Sequence, residues 1–191
     1  MTVLYAVLVV VGLILIAIAV SYNRFVSQRN LIRDSWANVD TELRRRYDLI
    51  PNIVATVKGY AAHEKEVFER VTETRAAAIA ATGPVDQQAT AEAPLVSALR
   101  GLLAVAERYP DLKASQNFLA LQKELSNTED RLQVARRFYN ANVRDYNRRV
   151  QSFPSNILAG MFGFHAEKFF EVEEAARAAP TVDVTGQGGT P

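Results

Sequence analysis

The feature that most constrains this chain is its first 23 residues, which carry no charged side chain. Within them, Val3–Val20 is an unbroken run of eighteen apolar or small residues. Extended to Asn23 as a helix, this run would be roughly 30 Å long, which matches the hydrocarbon thickness of a bilayer. We therefore expect residues 1–23 to form a transmembrane anchor.

A cleaved signal peptide is the alternative interpretation of this segment. The tripeptide Ala17-Ile18-Ala19 matches the small-x-small pattern of a cleavage site. Against it, the chain starts with Met-Thr and lacks a basic n-region, and the apolar run is longer than a typical h-region. These two criteria favour a retained anchor.

The charges that flank the span predict its orientation. Arg24, Arg29 and Arg33 follow the span, whereas no Lys or Arg precedes it. The positive-inside rule then predicts a single-pass plasma-membrane protein with its N-terminus outside and its body in the cytoplasm. Tyr22, Arg24 and Arg29 are expected at the membrane interface, where Tyr favours the headgroup zone.

Beyond Arg24 the apolar residues recur at three-, four- and seven-residue steps, which indicates amphipathic helices. No Gly or Pro interrupts residues 13–50, so we expect the anchor to continue into the first soluble helix as a rod of about 70 Å. At Pro51 the pattern predicts a helix restart with Asp48 as N-cap, and a mid-helix kink is the alternative.

The remaining helices are predicted between clusters of Gly, Pro and Asp. We expect helices over about 51–81 and 93–108, a long one that begins at Asp111 or Ser115 and ends near Ser152, and a last one over 155–178, with a loop at 82–92. A tail over 179–191, rich in Gly and Pro, is expected to be disordered. No segment alternates with period two. The predicted fold class is therefore all-α, with a single N-terminal transmembrane helix continuing into an antiparallel bundle of about four long helices over residues 24–178.

The clearest local repeat is Tyr-Asn-x-x-Val. Its copies at Tyr139-Asn140 and Tyr146-Asn147 lie seven residues apart, and a third begins at Tyr22. Seven residues make two helical turns, so the tyrosines of the later copies share one helix face. Either Tyr and Asn specify the register of the bundle, or they line a polar binding groove between helices.

A basic run, Arg44–Arg46, lies near the predicted end of the first soluble helix. We interpret it as a solvated face that pairs with Asp40, Glu42 and Asp48 and complements the helix dipole. Binding of phosphate or lipid headgroups is the functional alternative.

The stretch 152–164 combines Phe153, Phe162 and Phe164 with two glycines and Pro154. If the helices alternate up and down from the anchor, this stretch lies at the membrane-proximal end. There it would either contact the bilayer or a membrane partner, or form a hairpin that closes the floor of the bundle.

The residues available for catalysis are few. The chain has no cysteine and two histidines, His63 and His165, which excludes disulfides, thiolate chemistry and Cys-ligated metal. Val67 breaks a zinc-protease motif after His63, and no Glu-x-x-His, P-loop or nucleophile elbow occurs. We predict no catalytic, cofactor or metal site and a surface position for His63. The net charge of +1 gives no bias toward nucleic acid.

A series of motifs follows a fixed order over residues 20–175. It includes Tyr22-Asn23, Trp36, Asp40, the run Arg45–Asn52, Val57–Tyr60, Ala104–Ala114, Thr128–Arg131, Tyr139-Asn140, Tyr146-Asn147, Phe153-Pro154 and Gly163-Phe164. In this order the chain resembles the LemA family of bacterial membrane proteins, although Asp130 and Gln116 depart from the usual family residues. The resemblance implies a short external N-terminus, one transmembrane helix and a cytoplasmic helical bundle, and it does not imply an enzyme.

The predicted function is that of a membrane-anchored, non-catalytic interaction or scaffold protein that self-assembles at the inner face of the membrane. One alternative is an accessory regulator of a membrane protease, since members of the resembled family often lie beside such proteases in genomes. The other is a small-ligand receptor or enzyme that uses buried Tyr, Asn and Arg. The expected partners are the lipid bilayer, an unidentified protein and further copies of the chain, with no nucleic acid.

Overall fold

A computed structural model describes residues 1–172 of the chain. Over that range the protein is all-α and contains no strand, as predicted. The six helices are α1 (Thr2–Tyr60), α2 (Lys65–Ala80), α3 (Val85–Glu107), α4 (Pro110–Lys113), α5 (Gln116–Gln151) and α6 (Ser155–Phe162).

Helix α1 is one continuous element of 59 residues, which makes it about 89 Å long. Its apolar N-terminal window is not buried by any other part of the described structure. Helix α3 is also apolar and long enough to cross a membrane, but 44% of its window is buried, as in the core helix of a soluble bundle. The unburied start of α1 therefore indicates membrane anchoring, although a signal sequence would share this property.

Helices α1 and α5 form the antiparallel seam of the bundle. Phe25 contacts Tyr146, Trp36 contacts Tyr139, and further along Arg46 reaches Glu129, so rising numbers on α1 meet falling numbers on α5. The buried stripe of α1 has the spacing of one helix face. Its members include Phe25, Ile32, Val39, Leu43, Ile50, Ile53 and Val57. Helices α2 and α3 form a hairpin against the end of α1 that is distant from the anchor.

Pro51 lies inside α1, so the predicted restart with Asp48 as N-cap is wrong. Proline has no backbone N–H, and the carbonyl of Tyr47 therefore loses its usual partner one turn later. The side chain of Arg75 on α2 replaces that partner, because its Nε donates a hydrogen bond to the Tyr47 carbonyl at 2.8 Å. A side chain from another helix thus satisfies the backbone group that Pro51 leaves open.

The actual interruption lies at residues 61–64, so the single helix predicted over 51–81 is wrong. This turn contains no Gly or Pro, and an ion pair between Glu64 and Arg108 at 2.8 Å joins it to the end of α3. His63 is exposed there, as predicted. The loop predicted at 82–92 is also wrong, because α3 begins at Val85 directly after Pro84. Helix α5 begins after Ser115, the later of its two predicted starts, and ends within one residue of the predicted Ser152.

The last helix is shorter than predicted. Instead of running to 178, α6 ends at Phe162, because Gly163 adopts the left-handed conformation with φ of 70°. The Phe164 N–H donates to the Ala159 carbonyl at 2.9 Å and closes the helix end. Residues 164–172 continue without helix. The remainder of that predicted helix and the predicted tail at 179–191 lie outside the described residues.

The substitution Arg75→Ala tests the role of Arg75 beside Pro51. We expect a loss of about 2 kcal/mol in the free energy of unfolding, because the Tyr47 carbonyl is left without a partner. In a Pro51→Ala background the same substitution should cost less than about 1 kcal/mol, since the alanine at position 51 supplies the missing N–H. Urea unfolding of the full chain in detergent, followed by Trp36 fluorescence, measures both values.

The matched control is Arg70→Ala, an exposed arginine on the same helix, which should change stability by less than about 0.5 kcal/mol. An equal loss for Arg75→Ala in both backgrounds would contradict the compensation at Pro51.

Candidate functional site

Residues 164–172, which we call the C-terminal strap, run back along the seam between α1 and α5. At one end Phe164 stacks on Phe25 with ring centroids 4.7 Å apart. At the other end Phe170 packs edge-on against Trp36 at 5.4 Å. The strap therefore leads away from the anchor, parallel to α1 and antiparallel to α5.

Two asparagines of the sequence repeat hold the backbone of the strap. The Asn140 side chain donates to the Phe170 carbonyl at 3.1 Å and accepts from the Phe170 N–H at 2.9 Å. Asn147 makes the same pair of bonds with the backbone of Glu167, at 2.9 and 2.8 Å. Each amide thus pairs with both hydrogen-bonding groups of one residue, as a neighbouring strand would.

The spacing of this asparagine ladder follows from the geometry of helix and extended chain. Seven residues on α5 separate the asparagines by about 10.5 Å along the helix. The three residues from Glu167 to Phe170 cover about 10 Å when extended. The heptad spacing of the repeat therefore matches a three-residue step of the strap. The hydrogen bonds of the two asparagines use only backbone groups of the strap.

The two tyrosines of the repeat have different roles. The Tyr139 hydroxyl donates to the Lys168 carbonyl at 2.8 Å, and burial, followed by the charge of Glu167, raises the pKa of Tyr139 to about 12. Burial also raises the pKa of Tyr146, but its hydroxyl has no hydrogen-bond partner among residues 1–172. Tyr146 instead packs against Phe25.

These contacts decide what the repeat does within the described structure. In that structure three side chains of the repeat bind the protein's own strap, which lies between α1 and α5. Tyr139, Asn140 and Asn147 act together on the strap, whereas Tyr146 belongs to the α1–α5 core. No sequence pattern indicated the strap itself, because the periodicity of that segment predicted helix.

An aromatic cluster lies where α1 leaves its apolar segment. Tyr22 contacts Phe162 at 5.0 Å and Phe164 at 5.7 Å between ring centroids. The third Tyr-Asn copy therefore belongs to this cluster and not to the ladder. The guanidinium of Arg29 lies 5.9 Å from the centre of the Phe164 ring, which is a cation–π contact. Phe153 remains outside the cluster and is exposed.

A buried ionic network lies at the opposite end of the bundle. Arg46 forms an ion pair with Glu92 of α3 and a second with Glu129 of α5 at 3.2 Å. The Tyr47 hydroxyl donates to Glu92, and burial raises the pKa of Tyr47. Three helices are thus joined by charges that would be costly to leave unpaired.

This network corrects the interpretation of the basic run. Arg44 pairs with Asp40 at 2.8 Å and Arg45 with Glu42 at 3.6 Å, as predicted for a solvated face. Arg46 is instead buried, and the run lies in the middle of α1 and not at a helix end. Glu92 was missed because it was placed in a loop. The signal that could have found it is spacing: Glu92 lies three residues from both Ala89 and Leu95, which places it on the buried face of α3.

A surface groove of about 600 Å³ lies near this network. It lies between α1 and the turn that joins α2 to α3, and its lining includes Trp36, Asp40, Arg44, Tyr47, Asp48, Ile79 and Gln88. Within residues 1–172, no three potential metal ligands lie together. The prediction that the protein is not an enzyme stays a prediction.

The substitution Asn140→Ala tests the ladder, because it removes both hydrogen bonds to Phe170. We expect amide exchange in the peptide that contains Phe170 to accelerate by at least about tenfold. Hydrogen–deuterium exchange with mass spectrometry on the full chain in detergent measures this change. The control is Asn142→Ala on the same helix, whose side-chain nitrogen has no partner within the described range. Unchanged protection of Phe170 in Asn140→Ala would contradict the ladder.

The substitution Tyr139→Phe tests the pKa of the strap tyrosine. The pKa of Tyr139 is raised from 10.0 to about 12 in the fold. Its contribution to stability is therefore present below about pH 10 and is lost as the pH rises toward 12. The stability difference between wild type and Tyr139→Phe should shrink across that range in urea unfolding. A difference that is constant with pH would contradict this assignment.

Comparison with known proteins places these features in a family. The sequence profile of the LemA family matches residues 35–184. Protein LemA of Metamycoplasma hominis is 25% identical over 160 residues, covering 81% of this chain and 71% of that protein. Magnetosome protein MamQ 1 of Paramagnetospirillum magneticum is 25% identical over 179 residues, and MamQ of Magnetospirillum gryphiswaldense is 24% identical. Both matches cover 81% of this chain and 66% of the relative's length. With the family profile matching most of its length, and with an all-α bundle behind a long apolar helix, the chain belongs to the LemA family.

Proposed function

We propose that this protein is a membrane-anchored, non-catalytic scaffold that presents its helical bundle to partner proteins at the cytoplasmic face of the membrane. The observation that carries the proposal is the continuity of α1, whose unburied apolar start and buried bundle stripe belong to one helix. A stalk of this kind supports a scaffold because it holds the bundle at a defined height above the bilayer.

The stiffness of the stalk comes from its packing. Residues 24–60 of α1 extend about 54 Å beyond the apolar span. Over most of that length α1 is paired with α5, and the α2–α3 hairpin supports its far end. A helix pair that is packed along its length bends less than a single helix, so the far end of the bundle would stay away from the membrane surface.

The polar chemistry of the bundle supports a non-catalytic role. Glu92 is engaged by Arg46 and Tyr47, and the ladder asparagines are engaged by the backbone of the strap. Buried polar groups that are paired with one another stabilise the bundle and specify its packing. General acid–base catalysis instead needs a titratable group aimed at a substrate.

The charges that flank the apolar span support the proposed orientation, and the names of two relatives support the proposed setting. Arg24, Arg29 and Arg33 after the span favour a cytoplasmic bundle. Two relatives are named as magnetosome proteins, which agrees with a membrane setting for the scaffold. The partner class on this proposal is a second copy of the chain or another membrane-bound protein.

Site-specific photocrosslinking in native membranes tests the scaffold. A benzophenone amino acid at Leu31 of α1 or Leu119 of α5, which are exposed apolar positions, should give discrete adducts on illumination. The same amino acid at buried Leu132 should give none, provided the variant remains folded by circular dichroism. Mass spectrometry of the adducts separates self-assembly from a different partner.

Monomer alone at both exposed positions, in protein that stays with the membrane pellet after a urea wash, would contradict the scaffold proposal. Protein that is released by the wash and lacks residues 1–19 would instead contradict the anchor.

A further inference from the structure

Helix α6 and the turn before it expose an apolar stripe. Ile157 (53% exposed) and Met161 (70%) lie four residues apart on one face of α6, and Phe153 (80%) lies in the turn before the helix. Residues 150–164 contain no charged side chain. Ala159 is buried and Leu158 is half-buried, so these two residues seat the helix on the bundle while Ile157 and Met161 face outward. Such a stripe marks an interaction surface.

The place of α6 in the fold indicates what this surface contacts. Phe162 is 46% exposed and also packs against Tyr22, only two residues before Arg24, the first charged side chain after the apolar segment. The exposed stripe is therefore level with the end of the apolar segment of α1. A bilayer that surrounds that segment would have its headgroup layer at the same height as α6.

The charges around α6 fit an anionic surface. The Arg149 guanidinium lies 5.9 Å from the centre of the Phe25 ring, and Phe25 directly follows Arg24 on α1, so the two arginines are neighbours. Burial, followed by the charge of Arg24, lowers the pKa of Arg149. Neither forms an ion pair with a carboxylate anywhere in residues 1–172. Two neighbouring cations without a protein counter-charge are favourable beside lipid phosphates.

From these observations we infer that α6 and the Phe153 turn form a second membrane contact, in which Phe153, Ile157 and Met161 enter the interfacial layer of an anionic bilayer beside the anchor. The contact rests on the proposed membrane anchor, because α1 brings α6 to the bilayer. It adds to that proposal a docking surface beside the anchor, which limits how far the stiff bundle tilts together with the transmembrane helix.

The absence of native cysteine allows single-cysteine labelling without background. The fluorophore NBD is attached to full-length Met161→Cys, Phe153→Cys, Ile14→Cys and Val134→Cys proteins in vesicles that contain phosphatidylglycerol. Ile14 lies inside the apolar span and reports insertion of the anchor. Val134 is 57% exposed and lies about 18 Å along α5 from Tyr146, so it is a matched apolar surface control.

We expect NBD at positions 161 and 153 to shift its emission to the blue, to be quenched by lipids with spin labels near the headgroup, and to lose most of its quenching by aqueous iodide. NBD at position 134 should remain quenched by iodide. If positions 161 and 153 behave like 134 while position 14 is quenched by lipid, the α6 contact is overturned and the anchor stands. If position 14 is also quenched by iodide, the anchor fails and the α6 contact fails with it.

Discussion

The rest of the structure depends on α1 being one helix from Thr2 to Tyr60. Its two halves face different surroundings, because the first offers apolar side chains in every direction and the second buries only one stripe. Because backbone hydrogen bonds make α1 one continuous helix, its apolar half and its bundle half share one axis. The bundle is therefore built along the axis of the apolar half. The antiparallel partner α5 then returns the chain to the level of Tyr22, where α6 and the strap begin.

Polar side chains make this architecture possible at two places where the backbone lacks its usual partner. Arg75 bonds the Tyr47 carbonyl that Pro51 leaves open, and the helix continues. Asn140 and Asn147 pair with the backbone of the strap, so a segment without helix can lie along the bundle. In both cases the partner comes from an element distant in sequence, and the local sequence therefore suggests a different structure.

The sequence predicted those features that depend on local pattern. The charge-free start, the all-α class, the extent of α5 and the exposed His63 follow from composition and periodicity. The turn at 61–64 was missed because it contains no Gly or Pro. Glu92 was missed because an apparent loop hid its position on a helix face. The sequence showed the repeat at Tyr139 and Tyr146, but it did not show that the repeat binds the C-terminal strap. A helical pattern does not reveal a segment that is held by asparagine side chains.

Continuity of α1 is tested most directly by a distance along it. Spin labels at Arg24→Cys and Lys58→Cys, both exposed positions, can be introduced into the full chain in nanodiscs without removing any native cysteine. Pulsed electron resonance should give one narrow distance distribution near ~51 Å, the length of about 34 residues of straight helix. A broad distribution, or one centred well below that length, would show a hinge at Pro51 or elsewhere and would contradict a continuous α1.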